Sequence, residues 1–387
     1  MIFSKRMDGL GSAVFSMLKA KKNELLSAGR EVFDFGTGTP DIPPAPHIIR
    51  AMEEEVSPPQ NYKYAIGDLP PLTDSVIQWY SQRYGVLLER DEITSLAGSQ
   101  EGLAHIALVL ADTGDTVLVP DPAYPIFSIG PSLACANIYK MPLLKDKNYI
   151  IDLDAIPAPV AHAARLMVVS YPNNPVTAVA PCDFYEKLVW FAKKYDIAVV
   201  HDNAYSELVY DGKRGGSFLS FPGAMDVGVE FNSLSKSYNL TGCRISFAIG
   251  NRRIIEQLKI LKSHIDYGIF IPVQKAAIAA LTGPQDCLRR TVETYEARRN
   301  FMVDGFNSIG WHMEKPPATM FVWAPIPSTY SSSGEFSLEL LDKTGIITIP
   351  GSSFGEAGDG YVRMALVQPV EKINRAINLM NNCGLLI

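Results

Sequence analysis

Cysteine is scarce, five in 387 residues, and Cys135, Cys182, Cys243, Cys287 and Cys383 form no CxxC pair. That scatter excludes a disulfide framework and a zinc knuckle, and reads as reduced thiols in a cytoplasmic protein. The six histidines make no HExxH or comparable ligand pattern, so no metal is expected. No apolar run approaches the roughly 20 residues that cross a bilayer, and no membrane partner is expected. Charge of one sign is lacking too: 35 basic against 41 acidic residues leave −6, with no block of like charge. Nucleic acid would call for a basic stripe. The GxGxxG of a nicotinamide-dependent α/β enzyme does not occur between a first strand and helix. Met1 to Arg30 mixes Lys with apolar residues, but Asp8, Glu24 and the missing h-region speak against a targeting peptide.

What is present is an ordinary globular composition, 47% hydrophobic and 20% charged. At this length one core is too small a unit, and two domains are expected. An amphipathic helix is read over Ser12–Ser27, with Val14, Phe15, Leu18, Leu25 and Leu26 on its packing side. The proline cluster from Thr39 to Pro46 reads as a crossing between domains. Beyond it, short apolar runs alternate with helical stretches. The runs Leu166–Ser170 and Ile197–His201 are continuous, as in strands buried on both faces of a parallel sheet, and Cys182–Tyr195 between them has helical spacing. Further strands are expected at Thr116–Val119, Phe247–Ile249, Phe321–Ala324, Ile346–Ile349 and Tyr361–Val367. Helices are expected over Ile254–Ala280, Arg290–Ile309 and Pro369–Asn381. The resulting division is 1–44 and 286–387 in a smaller α+β domain, and 45–285 in a large α/β domain with a mostly parallel central sheet flanked by helices.

Ligands of open parallel sheets bind beyond the carboxyl ends of the strands. Four such loops carry polar residues here. They are Gly98-Ser-Gln-Glu-Gly102, Tyr171-Pro-Asn-Asn-Pro175, Asp202-Asn-Ala-Tyr205, and Ser233-Leu-Ser-Lys236 running on to Arg244. Pyridoxal phosphate needs such a set. It takes a lysine for its aldehyde, a carboxylate for its ring nitrogen, and amides, hydroxyls and an arginine for its phosphate. Singly, each residue has an ordinary reading: Lys236 as a surface lysine, Asp202 as a helix cap, Arg244 as one half of a salt bridge. Their order at successive strand ends decides for the site.

Ser233-Leu-Ser-Lys236 with Arg244, Asn174-Pro175, Asp202-x-x-Tyr205 and Asp121-Pro-Ala-Tyr124-Pro125 resemble the blocks of class I/II (fold-type I) aminotransferases. Gly38-Thr-Pro-Asp41 and Tyr361-Val-Arg363 extend the match over nearly the whole chain. Tyr171–Pro175, His201–Asp211 and Ala276–Cys287 are most similar to the subgroup of LL-diaminopimelate and bacterial alanine aminotransferases. The resemblance implies pyridoxal 5′-phosphate bound as an imine to Lys236, which also shuttles the proton. Asp202 would pair with the ring nitrogen, Asn174 and Tyr205 with the phenolic oxygen, and Tyr124 with the ring face. Ser99, Gln100, Ser233, Ser235 and Arg244 would hold the phosphate. Tyr62 would reach the phosphate of a neighbouring subunit in a homodimer. Gly38, Asn174 and Arg363 would clamp the substrate carboxylate. The implied reaction passes an α-amino group from an amino acid to a 2-oxo acid. A C–S β-lyase on the same scaffold is the alternative, and a non-enzymatic ligand-binding regulator a remoter one. Tyr62, Tyr64 and the His264–Tyr267 stretch are candidates to meet the substrate side chain, or else an interface. Three departures stand out: Val176-Thr177 where relatives carry Thr-Gly, Gln100 where they carry Lys, and Cys243 where they carry Trp.

Overall fold

The computed structural model describes residues 3–7 and 13–386. Its strands are β1 (Phe33–Asp34), β2 (Ile93–Leu96), β3 (Thr116–Asp121), β4 (Asn137–Pro142), β5 (Ala164–Ser170) and β6 (Ala198–Asp202). They continue as β7 (Gly228–Ser233), β8 (Ser246–Gly250), β9 (Phe321–Pro325), β10 (Ile346–Ile347), β11 (Ile349–Pro350) and β12 (Tyr361–Ala365). Seven of them form one sheet in the order β2-β8-β7-β6-β5-β3-β4. From β4 to β7 the neighbours run parallel, and β8 alone is antiparallel to both of its neighbours. The two continuous apolar runs have the burial they foretold, with Leu166, Val169, Val199 and Val200 fully buried, and Val117, Val119, Val229 and Phe231 on the neighbouring strands are fully buried too. Helices cover both faces. Among them, Cys182–Tyr195 turns Phe184, Leu188, Phe191 and Ala192 inward, as its spacing indicates.

A second core lies around Phe33, Phe35, Tyr295, Phe306, Trp311, Phe336, Val362 and Ile373. It is built on the antiparallel sheet β11-β12-β9, the pair β1-β10, and the helices Asp286–Ser308, Ser333–Thr344 and Val370–Asn382. Parallel pairing of β1 with β10 ties the N-terminal stretch to this part of the molecule.

Three expectations need correction, and one strand was not expected. The single helix over Ile254–Ala280 is two, Arg252–Ile265 and Ile271–Thr282. Pro272 occupies the first turn of the second, a position that proline tolerates and a helix interior does not. The strand Ile346–Ile349 splits, with β10 joining β1 and β11 joining β12. Strand β4 was not foreseen; it is a sheet edge on which only Met141 is buried, so no apolar run marks it. In the first helix, α1 (Ala13–Ser27), Leu18 and Leu25 are buried but Leu26 is 50% exposed. Adjacent helical positions point about 100° apart, so Leu25 and Leu26 cannot share the core. Ser12 and the side chains of Val14 and Phe15 lie outside the described residues. Among the described residues no helix is long and apolar enough to cross a membrane.

Candidate active site

The carboxyl ends of β2, β3, β5, β6 and β7 share one edge of the sheet, and a cavity of about 450 Å³ opens there. Gly38, Ser99, Gln100, Tyr124, Asn174, Asp202, Tyr205, Ser233, Ser235, Lys236, Arg244 and Arg363 line it. The fold thus gathers every expected site residue except Tyr62. That side chain is 63% exposed, donates its hydroxyl to the Val56 carbonyl at 2.8 Å, and packs edge-on against Phe270.

Lys236 stands on the single helical turn Leu234–Ser237 that follows β7. Ser233 caps this turn, its Oγ accepting from the Ser235 amide at 3.2 Å. Lys236 Nζ donates to the Gly38 carbonyl at 2.7 Å. Burial first, then repulsion by Arg363 and Arg244, holds its ammonium down at about 8, while Asp202 pulls the other way. Asp202 ends β6. Burial pushes its carboxyl up to about 6, against the pull of His201, the Ala204 amide and Lys236. Its Oδ1 is buried and has no hydrogen-bond partner among the described residues. A buried acceptor left open is costly unless something else fills it.

The helix Ser99–Leu110 opens directly onto the cavity. Its cap, Gly98, has φ +84° and no side chain to occupy the first-turn amides. A Cβ at Gly98 would lie 2.0 Å from Arg244 Nη2, so only glycine lets the guanidinium cross the helix start. Ser99 Oγ is buried without a partner among the described residues. Free amides at a helix N-terminus, a hydroxyl and an arginine make an anion cup. Tyr124 donates its hydroxyl to Gln100 Oε1 at 3.1 Å, tying the aromatic wall to the cup.

Arg363 on β12 faces the opposite wall. Its Nη1 donates to Asn174 Oδ1 at 2.9 Å and its Nη2 to the Gly36 carbonyl at 3.0 Å, while Nε has no partner among the described residues. The guanidinium lies 4.1 Å from the ring centre of Phe321 and 4.8 Å from that of Phe354. Burial brings it down to about 10. Phe321 also meets Tyr205 edge-on and would be struck at 2.8 Å by a Cβ on Gly38. Sequence reasoning missed Phe321 and Phe354; nothing in a local pattern shows which strand pairs behind an arginine.

A buried network beneath the site was also missed. Glu230, on β7, accepts from Tyr80 Oη at 2.8 Å, Ser217 Oγ at 2.9 Å, the Phe218 amide at 2.9 Å and His201 Nδ1 at 3.0 Å. Of the departures, Thr177 occupies the left-handed region at φ +63°. Cys243 is half-buried, and burial pushes its thiol up, away from thiolate chemistry.

A recessed lysine, an open carboxylate and two arginines, gathered at the carboxyl end of such a sheet, are the equipment of the fold-type I scaffold. The model for aminotransferases of class I and II matches residues 30–379, and the chain belongs to that family. The LL-diaminopimelate aminotransferase of Moorella thermoacetica is 46% identical over 376 residues, 97% of this chain and 96% of the relative. That of Dehalococcoides mccartyi is 42% identical over 99% of both chains. Among solved structures, substrate-bound BacF of Bacillus subtilis superposes with a TM-score of 0.95 at 34% identity, over 100% of this chain and 98% of that one. A probable N-succinyldiaminopimelate aminotransferase of Thermus thermophilus gives 0.91 at 33% identity, over 96% of this chain and 100% of that one. The chain is a transaminase that moves the amino group of an amino acid to a 2-oxo acid.

Proposed function

We propose that the cavity holds pyridoxal 5′-phosphate linked through Lys236, and that LL-diaminopimelate is the amino donor, with 2-oxoglutarate or pyruvate as acceptor. The observation that carries the cofactor is the unpartnered Asp202 Oδ1, buried in the same cavity as Lys236 and the anion cup. A protonated ring nitrogen would satisfy it. Ser99, Gln100, Ser233, Ser235 and Arg244 would hold the phosphate, Asn174 and Tyr205 the phenolic oxygen, and Tyr124 the ring face. Bound there, the group supplies an aldehyde and an electron-accepting ring.

Arg363, with Gly38 and Asn174, would grip the substrate α-carboxylate; a planar fork binds a carboxylate at two points. Lys236, held down at about 8, is available as a neutral amine in the physiological range and takes the proton from the substrate Cα. Donor and acceptor then use one cavity in turn. Both lining guanidiniums are committed in this reading, which supports a donor whose side chain has no net charge. The distal ammonium and carboxylate of LL-diaminopimelate meet that condition, and the names of the curated relatives support it.

A homodimer is part of the proposal, because Tyr62 stands exposed beside Phe270, outside its own cavity. So are a cytoplasmic setting, supported by five free thiols, and the division into 1–44 with 286–387 against 45–285, supported by the two cores.

Borohydride reduction of the yellow protein followed by peptide mapping should place the label on Lys236; a label elsewhere, or none, overturns the cofactor assignment. A donor panel read by 2-oxo acid formation tests the substrate. Exclusive use of aspartate would refute the donor, and pyruvate released from cystathionine without an acceptor would transfer the assignment to a β-lyase. Lys236→Ala should lower transamination by about four orders of magnitude or more.

A further inference from the structure

Behind the anion cup lies a cluster that the proposed chemistry does not use. Glu101 is the third residue of the helix Ser99–Leu110, and its carboxylate turns back toward the helix start: Oε2 accepts from the Ala97 amide at 3.0 Å. Ala97 directly precedes Gly98, so this bond shapes the turn in which the cup is formed. The shape comes with an unfavourable charge, because an anionic carboxylate in the first turn competes with any anion that the helix end receives.

Lys262, one turn before the end of the helix Arg252–Ile265, answers that charge. Its side chain is 6% exposed. Nζ donates to Glu101 Oε2 at 2.9 Å and to both oxygens of Asp266 at 3.1 Å. His105 Nδ1 closes the group against Glu101 Oε1 at 2.7 Å. Glu101, His105 and Asp266 have the donor atoms of a cation site, and the lysine ammonium already stands among them. The cup itself carries one direct cation, Arg244, because Gln100 brings none.

We infer that Lys262 is a positioning residue for phosphate: it neutralises Glu101, so that the carboxylate can shape the Gly98–Ser99 turn without repelling the phosphate held there. This rests on the reading of the cup as the cofactor's phosphate site.

The charges make opposite predictions for the two partners, which loss of structure does not. Lys262→Met exposes the cup to an unopposed carboxylate and should weaken pyridoxal-phosphate binding by roughly tenfold, since charges several ångströms apart at a partly buried site couple by about that much. Glu101→Gln keeps an oxygen for the Ala97 amide and removes the charge, so it should bind the cofactor several-fold tighter than the parent, by about the same electrostatic argument. The double variant should fall between the two. Dissociation constants come from visible absorbance titration of the full-length chain, with inorganic phosphate as competitor and circular dichroism to confirm folding. Weaker binding by folded Glu101→Gln, or unchanged binding by folded Lys262→Met, overturns the inference. Asp266→Asn separates a second route, since Lys262 also holds the loop at Asp266: if that variant alone reproduces the Lys262→Met loss, the effect runs through the loop and the inference fails. Arg244→Met tests the underlying reading. Undiminished phosphate competition there would refute the cup; its loss, with the other variants unmoved, would refute only the role of Lys262.

Discussion

Glu230 and Asp202 are buried carboxylates on adjacent strands, with His201 of β6 paired in register to Glu230 of β7. Glu230 has four donors on its two oxygens and nothing left to accept. Asp202 keeps one buried oxygen without a partner and titrates near 6. The satisfied carboxylate belongs to the scaffold, and the unsatisfied one belongs to the site. Buried polar groups in native proteins are almost always paired, so an unpaired one at a cavity wall marks the place for a ligand.

Two substitutions can break that contrast, and a third tests the strained backbone at Thr177. The largest effect is expected from Asp202→Asn, which should cut transamination by about a thousandfold by removing preorganised charge from the site. The same change should stabilise the cofactor-free protein. Asp202 has a folded pKa of about 6 against an ordinary 3.8, so its contribution to stability is present below pH 3.8 and is lost as pH rises through 6. The carboxylate therefore costs up to about 3 kcal/mol at pH 7, and the asparagine is spared that cost. Melting temperatures from pH 4 to pH 8 should diverge as pH rises; parallel curves would show that the open oxygen carries no penalty. Next comes Glu230→Gln, with the opposite balance: a loss of about 2–4 kcal/mol of stability, because the amide cannot accept from four donors, and turnover per folded molecule within about threefold of the parent. A stable variant with collapsed turnover would make Glu230 part of the site. The smallest effect is expected at Thr177. A β-branched residue at φ +63° is strained, and Thr177→Gly should raise stability by about 1 kcal/mol or less, part of the relief being lost to the freer unfolded chain. A lower denaturation midpoint would show that the threonine is held there by contacts worth more than the strain.

Asp202 was legible in the sequence and Glu230 was not, and the reason is physical. The site residues follow strand-like stretches, two of them continuous apolar runs, so the end of each stretch points to a loop and each loop carries its polar group. Glu230 interrupts the stretch Val229-Glu-Phe-Asn, and its donors come from three separate segments, at Tyr80, His201 and Ser217-Phe218. Phe321 escaped for the same reason: it is placed by the pairing of β9 with β12, a long-range event. Edge strand β4 left no trace because a strand with only Met141 buried needs no apolar pattern. The break at 266–270 did leave one, Pro272, which a stricter reading of helix interiors would have used.

The short stretch from Phe33 to Gly38 is bonded to both walls of the cavity. Its carbonyls at Gly36 and Gly38 accept from Arg363 and Lys236, and Phe35 accepts from the Ala365 amide. For anyone trimming or tagging this protein, the boundary follows directly. An N-terminal fusion must leave this stretch free to thread between the two walls, and a deletion that reaches Phe33 takes a supporting beam out of the cavity wall.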